Sequence, residues 1–195
     1  MNKKQEKKLI IIGTLILLIG LVDFSYTIFF EPIYNLLWFS NSITLLVGLA
    51  ILSRNRLFMG AMLISSMVEL TWVIDFFSHL IFGAGAFGSA TEYMFRDFGY
   101  GSLNFYLELN HVLVIPAAVY GALKIGIHKK SYLISGVHAA LANVLAFYLA
   151  PSSKNINCVY HLCSLKSDIF RINDFLYLAL WVSFLFIVGY LLNRA

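Results

Sequence analysis

Residues 9–29, LIIIGTLILLIGLVDFSYTIF, follow the basic run MNKKQEKK, and their reading decides the fold class. A helix needs about 20 mostly apolar residues to cross the hydrocarbon core of a bilayer, and this run supplies them. A basic stretch ahead of an apolar one also suits a secretory leader. This apolar run is longer than a leader core and no small-x-small cleavage motif follows it, so it is expected to remain as a first membrane span.

Five further runs of similar character follow, at 33–52, 57–83, 105–127, 131–150 and 172–192. The composition agrees: 60% of the 195 residues are hydrophobic, 12% are charged, and the mean hydropathy is +0.81. Too few polar residues are present to coat a soluble domain of this length. The ten-residue alternation of a membrane barrel is missing, so backbone groups in lipid must be satisfied within helices. The expectation is an all-α, multi-pass cell-membrane protein, residues 1–195 forming one six-helix domain without an internal repeat.

Basic residues orient such a set, because short cytoplasmic loops are enriched in Lys and Arg. With the N-terminus inside, Lys3, Lys4, Lys7, Lys8, Arg54, Arg56, Lys124, Lys129, Lys130 and Arg194 fall on the inner side. Arg96, Lys154, Lys166 and Arg171 fall on the outer side, which places both termini in the cytoplasm. The net charge of +4 is then a topology signal, and no aromatic interleaving of the lysines points to a nucleic acid. Membrane lipid is the expected partner. The two longer connections lie outside. Residues 84–104 are glycine-rich, which suits a flexible or re-entrant loop whose aromatics Phe87, Tyr93, Phe98 and Tyr100 reach the headgroup layer. Residues 151–171 carry both cysteines, Cys158 and Cys163, either as a disulfide or as two thiols, and a zinc site with His161 would lack a fourth ligand.

An ionisable residue inside a membrane is costly and faces a partner or a cavity. Asp23, Ser40, Asp75 and His111 lie at similar depth below the outer ends of their spans, with Asn41, His79, Glu108 and Asn110 close by and Asn143 approaching from span five. On span three, Ser65, Glu69, Trp72, Asp75 and His79 share one helical stripe, which should face the bundle interior. On span four, Glu108 and His111 share a face, and Pro116 removes a backbone bond one turn deeper. The small residues of span five, Ser135, Ala139, Ala142 and Ala146 with Asn143, read as a packing seam. His138 reads as a packed or carbonyl-bonded histidine, and the buried acids could equally pair with one another to fix the bundle.

If spans two, three and four are neighbours, Ser40 could serve as nucleophile, His111 as its base and Asp75 as the group that orients the imidazole. Asn41 or Asn110 would then stabilise an oxyanion, with Glu108, Trp72 and Asn143 lining the substrate site and no cofactor required. The runs LWFSNSITLLVGLAILSRNR, LELNHVLVIPAAVYGALKIG and LANVLAFYLAPSSKNINCVY resemble the YwaF-type integral membrane proteins. More distantly they resemble a transmembrane phospholipid acyltransferase and the androgen-induced membrane lipid hydrolases. The resemblance spans about residues 34–160. It implies lipid acyl hydrolysis or acyl transfer, with the family histidine on His111 and the nucleophile position on Ser40 or Asn41, where this chain carries neither Cys nor Thr. Two rival classes use the same residues. A metal-dependent hydrolase would hold one divalent ion such as zinc on Asp75, His79 and His111. A transporter or small-ligand binding protein would use the acids and histidines as a proton-coupled or solute site.

Overall fold

The computed structural model describes residues 2–86, 91–160 and 174–194, without the side chain of Phe98. Among these residues the secondary structure is helical throughout, with no strand. The first helix, α1 (Lys3–Phe30), opens with a reciprocal cap in which Asn2 accepts from the Gln5 amide and Gln5 accepts from the Asn2 amide. It is followed by α2 (Phe39–Ser53), α3 (Arg56–Ser66) and α4 (Leu70–Phe82). A single 3-10 turn, Met67–Glu69, joins α3 to α4, so the two form one rod, Arg56–Phe82. In the same way α5 (Leu103–Glu108) and α6 (Asn110–Ile125) form one rod, Leu103–Ile125, interrupted at Leu109. The last helices are α7 (Ser131–Leu149) and α8 (Asp174–Leu192).

Five of these units are long and apolar enough to cross a membrane: α1, the two rods, α7 and α8. The expected second span, 33–52, is corrected by the structure. Residues Ile33–Leu37 form a separate 3-10 turn, Trp38 takes an extended conformation, and the regular helix starts only at Phe39. No Pro or Gly lies in 33–38 beyond the preceding Pro32. The break is instead held from a distance by Asn157, whose side-chain amide donates to the Leu37 carbonyl at 2.8 Å and accepts from the Phe39 N–H at 2.8 Å. Asn157 itself sits at φ 54°, in the left-handed region that asparagine tolerates better than most residues.

Water does not drive helices together inside lipid, so close contact between small residues must do so. Helices α1 and α2 show this most directly. A Cβ on Gly48 would lie 2.6 Å from the Leu17 backbone nitrogen, and one on Gly20 would lie 2.8 Å from that of Leu45. Around this crossing Leu9, Ile16, Ile43, Val47, Ile51, Met59, Met62 and Val114 form the main apolar core. The outward faces stay apolar too, as Val22, Phe82, Leu123 and Ile187 illustrate, which is the pattern of a protein solvated by lipid. At one end of the bundle Arg54 pairs with Glu6 at 2.8 Å, Arg56 donates to the Ile125 carbonyl, and Asn193 donates to the Lys129 carbonyl. These bonds gather the N-terminal turn, both short connections and the end of α8.

Candidate functional site

The two rods are neighbours, and each loses regular helix at the level where it carries ionisable groups. The stripe on α3 and α4 faces inward: Ser65, Glu69 and Asp75 are buried, whereas Leu70, Ile74 and Phe77 on the other faces are exposed. A 3-10 turn inside a long helix changes the angular spacing of its side chains. Glu69 closes that turn, and its carboxylate reaches the facing rod.

There it meets His111. The Nδ1 of His111 lies 2.8 Å from Glu69 Oε2, and its Nε2 lies 3.1 Å from Glu108 Oε2. Glu108 Oε2 also accepts from the Tyr93 hydroxyl at 2.9 Å. The result is a continuous chain, Tyr93–Glu108–His111–Glu69, from the 84–102 connection to the middle of the first rod. The Trp72 indole stacks on the His111 ring, with centroids 4.2 Å apart. Next to His111, Asn110 donates to Asp23 Oδ2 at 3.0 Å, which adds a buried acid from α1 to the buried Glu69 and the partly exposed Glu108.

A carboxylate only accepts, so both contacts of His111 are hydrogen bonds when the ring carries two protons. Two ionised glutamates and one imidazolium leave an excess of one negative charge, and one further proton makes the trio neutral. Among the described residues these glutamates have no ion pair other than those with His111. Such a set of groups has the chemistry to take up and release a proton.

The other expected site residues have other partners. Ser40 is half-buried on the first turn of α2, without a hydrogen bond to His111, both of whose ring nitrogens face carboxylates. Asn41 donates to the Asn35 carbonyl and braces the 3-10 turn. Asp75 accepts from the amide and the hydroxyl of Thr91, both at 2.9 Å, and so anchors the 84–102 connection instead of orienting an imidazole. His79 stacks on Phe95 at 4.3 Å. Asp75, His79 and His111 thus point to three different partners, and among the described residues no three His, Cys, Asp or Glu side chains are arranged to hold a metal ion. Asn143 donates to the Ala139 carbonyl one turn back on its own helix. Cys158 is not a free thiol, and Cys163 and His161 lie outside the described residues.

The segment 91–102 folds back onto the rods. Met94 and Thr91 are fully buried, and Met94 packs with Phe76 and Phe105 beside Trp72 and Tyr93. At its exposed edge Arg96 chelates Asp97 at 2.7 and 3.0 Å, which holds the Asp97 carboxyl below the usual range. Sequence reasoning placed Tyr93 in a headgroup layer and left Glu69 as one member of a stripe. The available signal for Glu69 was an ionisable residue at mid-span, 13 positions from either end of the Arg56–Phe82 rod.

The fold and this site together define an all-helical, multi-pass membrane architecture built around a buried carboxylate–imidazole chain. Compared with known proteins, the chain matches no family profile, no curated protein and no solved structure.

Proposed function

We propose that the chain is a cell-membrane protein with a proton-linked site for a small polar ligand, in the class of transporters and ligand-binding membrane proteins. The observation that carries this reading is the bridging of His111 by Glu69 and Glu108, from two rods interrupted at the same level. Discontinuous helices with ionisable groups at mid-depth are the usual construction of proton-coupled solute sites. Acyl chemistry at His111 needs a ring nitrogen free to take a proton from a nucleophile. Both nitrogens are engaged by acids, so proton transfer is the better-supported use of the site.

Infrared difference spectroscopy between acid and neutral pH tests the reading. A band from a buried carboxylic acid should appear on acidification, and it should be lost or shifted in Glu69→Gln and in Glu108→Gln. Unchanged spectra in both variants would remove the proton-linked assignment.

The same proposal includes six crossings, with α2 as the sixth, and both termini in the cytoplasm. It is supported by the bonds that gather the two terminal regions at one end of the bundle, and by the crowding of Lys and Arg there. In intact cells treated with reductant, a membrane-impermeant maleimide should modify Cys158 and Cys163. Modification only after the membrane is opened would reverse the orientation.

A further inference from the structure

A second buried chain of titratable and hydroxyl groups lies outside the site described above. His138 of α7 has its Nε2 3.0 Å from Ser42 Oγ of α2 and its Nδ1 3.4 Å from Ser65 Oγ of α3. Ser65 Oγ in turn lies 3.0 Å from Ser135 Oγ. Phe39 covers the imidazole face, with centroids 4.5 Å apart. Among the described residues no acidic or basic side chain bonds to His138, so no ion pair fixes its charge.

The directions of these bonds follow from one fixed end. The Ser42 hydroxyl has a backbone acceptor, the Phe39 carbonyl at 2.8 Å, which cannot donate in return. When Ser42 donates there, His138 donates from Nε2, and Nδ1 is left to accept from Ser65. That polarity is the wrong one for activating Ser42 as a nucleophile, because the imidazole is giving it a proton. It is the right one for a hydroxyl–imidazole relay. His138 takes up a proton at Nδ1 from the Ser65 hydroxyl and returns it through the same atom, so the ring holds a proton beside the Ser65–Ser135 pair with no bond broken other than N–H and O–H.

Position connects this chain to the carboxylates. Ser65 precedes Glu69 by four residues on the inward stripe, a separation of about 6 Å along the axis, which one water can bridge. In the other direction Ser131 and Ser135 are one turn apart on α7. Ser131 donates to the Leu57 carbonyl and accepts from the His128 amide, at the end of the bundle where Arg56 and Lys129 lie. We propose that Ser65, Ser135 and Ser131, with His138 as the protonatable station, form a proton path from Glu69 to the basic end of the bundle. The inference rests on the proton-linked reading and extends it by a route.

The test uses purified protein in phosphatidylcholine–phosphatidylglycerol vesicles with a trapped pH dye, and a valinomycin-set potassium potential as the driving force. Wild type should pass protons. His138→Gln keeps one donor and one acceptor but is not a proton carrier, and it should lower the rate by roughly tenfold or more. Ser65→Ala should do the same, and Ser65→Thr, which restores the hydroxyl, should recover the rate. Melting curves in detergent must match wild type for the comparison to count, and Ser65→Ala set against Ser65→Thr serves if His138→Gln fails to fold. Wild-type rates in His138→Gln and Ser65→Ala would overturn the route, as would an absence of flux in wild type. The infrared band of Glu69 reports on the parent reading independently, so the route can fail while that reading stands.

Discussion

His111→Ala should destabilise the folded protein by about 3–5 kcal/mol, the usual cost of removing one partner from a buried ion pair. The side chain satisfies two carboxylates at once, Glu69 at 2.8 Å and Glu108 at 3.1 Å. Its loss strips the buried Glu69 of its ion-pair partner, while the partly exposed Glu108 keeps the Tyr93 hydroxyl. The melting temperature in detergent should therefore recover in part as the pH is lowered, since protonation removes the repulsion that the imidazolium had cancelled. Adding Glu69→Leu should also recover stability at neutral pH, because an apolar side chain of similar volume eliminates the stranded charge. Trp72 provides a local probe, since its indole stacks on the imidazole and its emission should change when the ring is absent. A variant that melts like wild type at neutral pH would mean that Glu69 and Glu108 are already neutral without His111.

The second large effect is expected at Asn157, far from the acids. Its amide replaces the helical bonds missing at Trp38 and accepts the Trp181 indole N–H on its own carbonyl at 3.1 Å. Asn157→Ala strands the Phe39 N–H and the Leu37 carbonyl, at roughly 1–3 kcal/mol for each unsatisfied buried group. It also gives up asparagine's tolerance of the left-handed region, at a further cost of up to about 1–2 kcal/mol. Asn157→Gly avoids the second penalty and keeps the first, because the backbone stays comfortable while the amide is lost. The expected order of melting temperatures is wild type, Asn157→Gly, Asn157→Ala. Faster amide exchange at Phe39 in both variants would place the damage at the break. If Asn157→Gly melts with wild type, the amide bridge is dispensable and the break at Trp38 has another cause.

These two sites show what the sequence made legible and what it did not. Apolar length marked the five long helical units but not the start of α2, because the thickness of a bilayer imposes a fixed demand on any helix that crosses it. Helical periodicity correctly set Glu69 on an inward face and Glu108 beside His111, since both relations are local. The contact between Glu69 and His111 joins residues 42 positions apart, and periodicity within one helix says nothing about which face of which neighbour it will meet. Ser40 and His111 appeared close by depth alone, yet depth fixes one coordinate and leaves the position around the bundle open. The division at Trp38 was invisible for the same reason, because the residue that enforces it lies 118 positions or more downstream. Tyr93 was hidden in a glycine-rich connection that folds inward through the buried Thr91 and Met94.

The crossing of α1 and α2 bears on how the protein is made. Helix α2 has 15 residues, about 22 Å at 1.5 Å per residue, which is short for a 30 Å hydrocarbon core. Its backbone lies against that of α1 through Gly20 and Gly48, with the connection 31–38 before it and only residues 54–55 after it. With α2 as the proposed sixth crossing, a segment this short gains little by entering lipid alone, and pairing with the longer helix ahead of it during synthesis is the expected route. The unit handed to the insertion machinery is then a helical hairpin, and a bulky side chain at Gly48 should appear first as a defect in biogenesis, before any fault in the mature site.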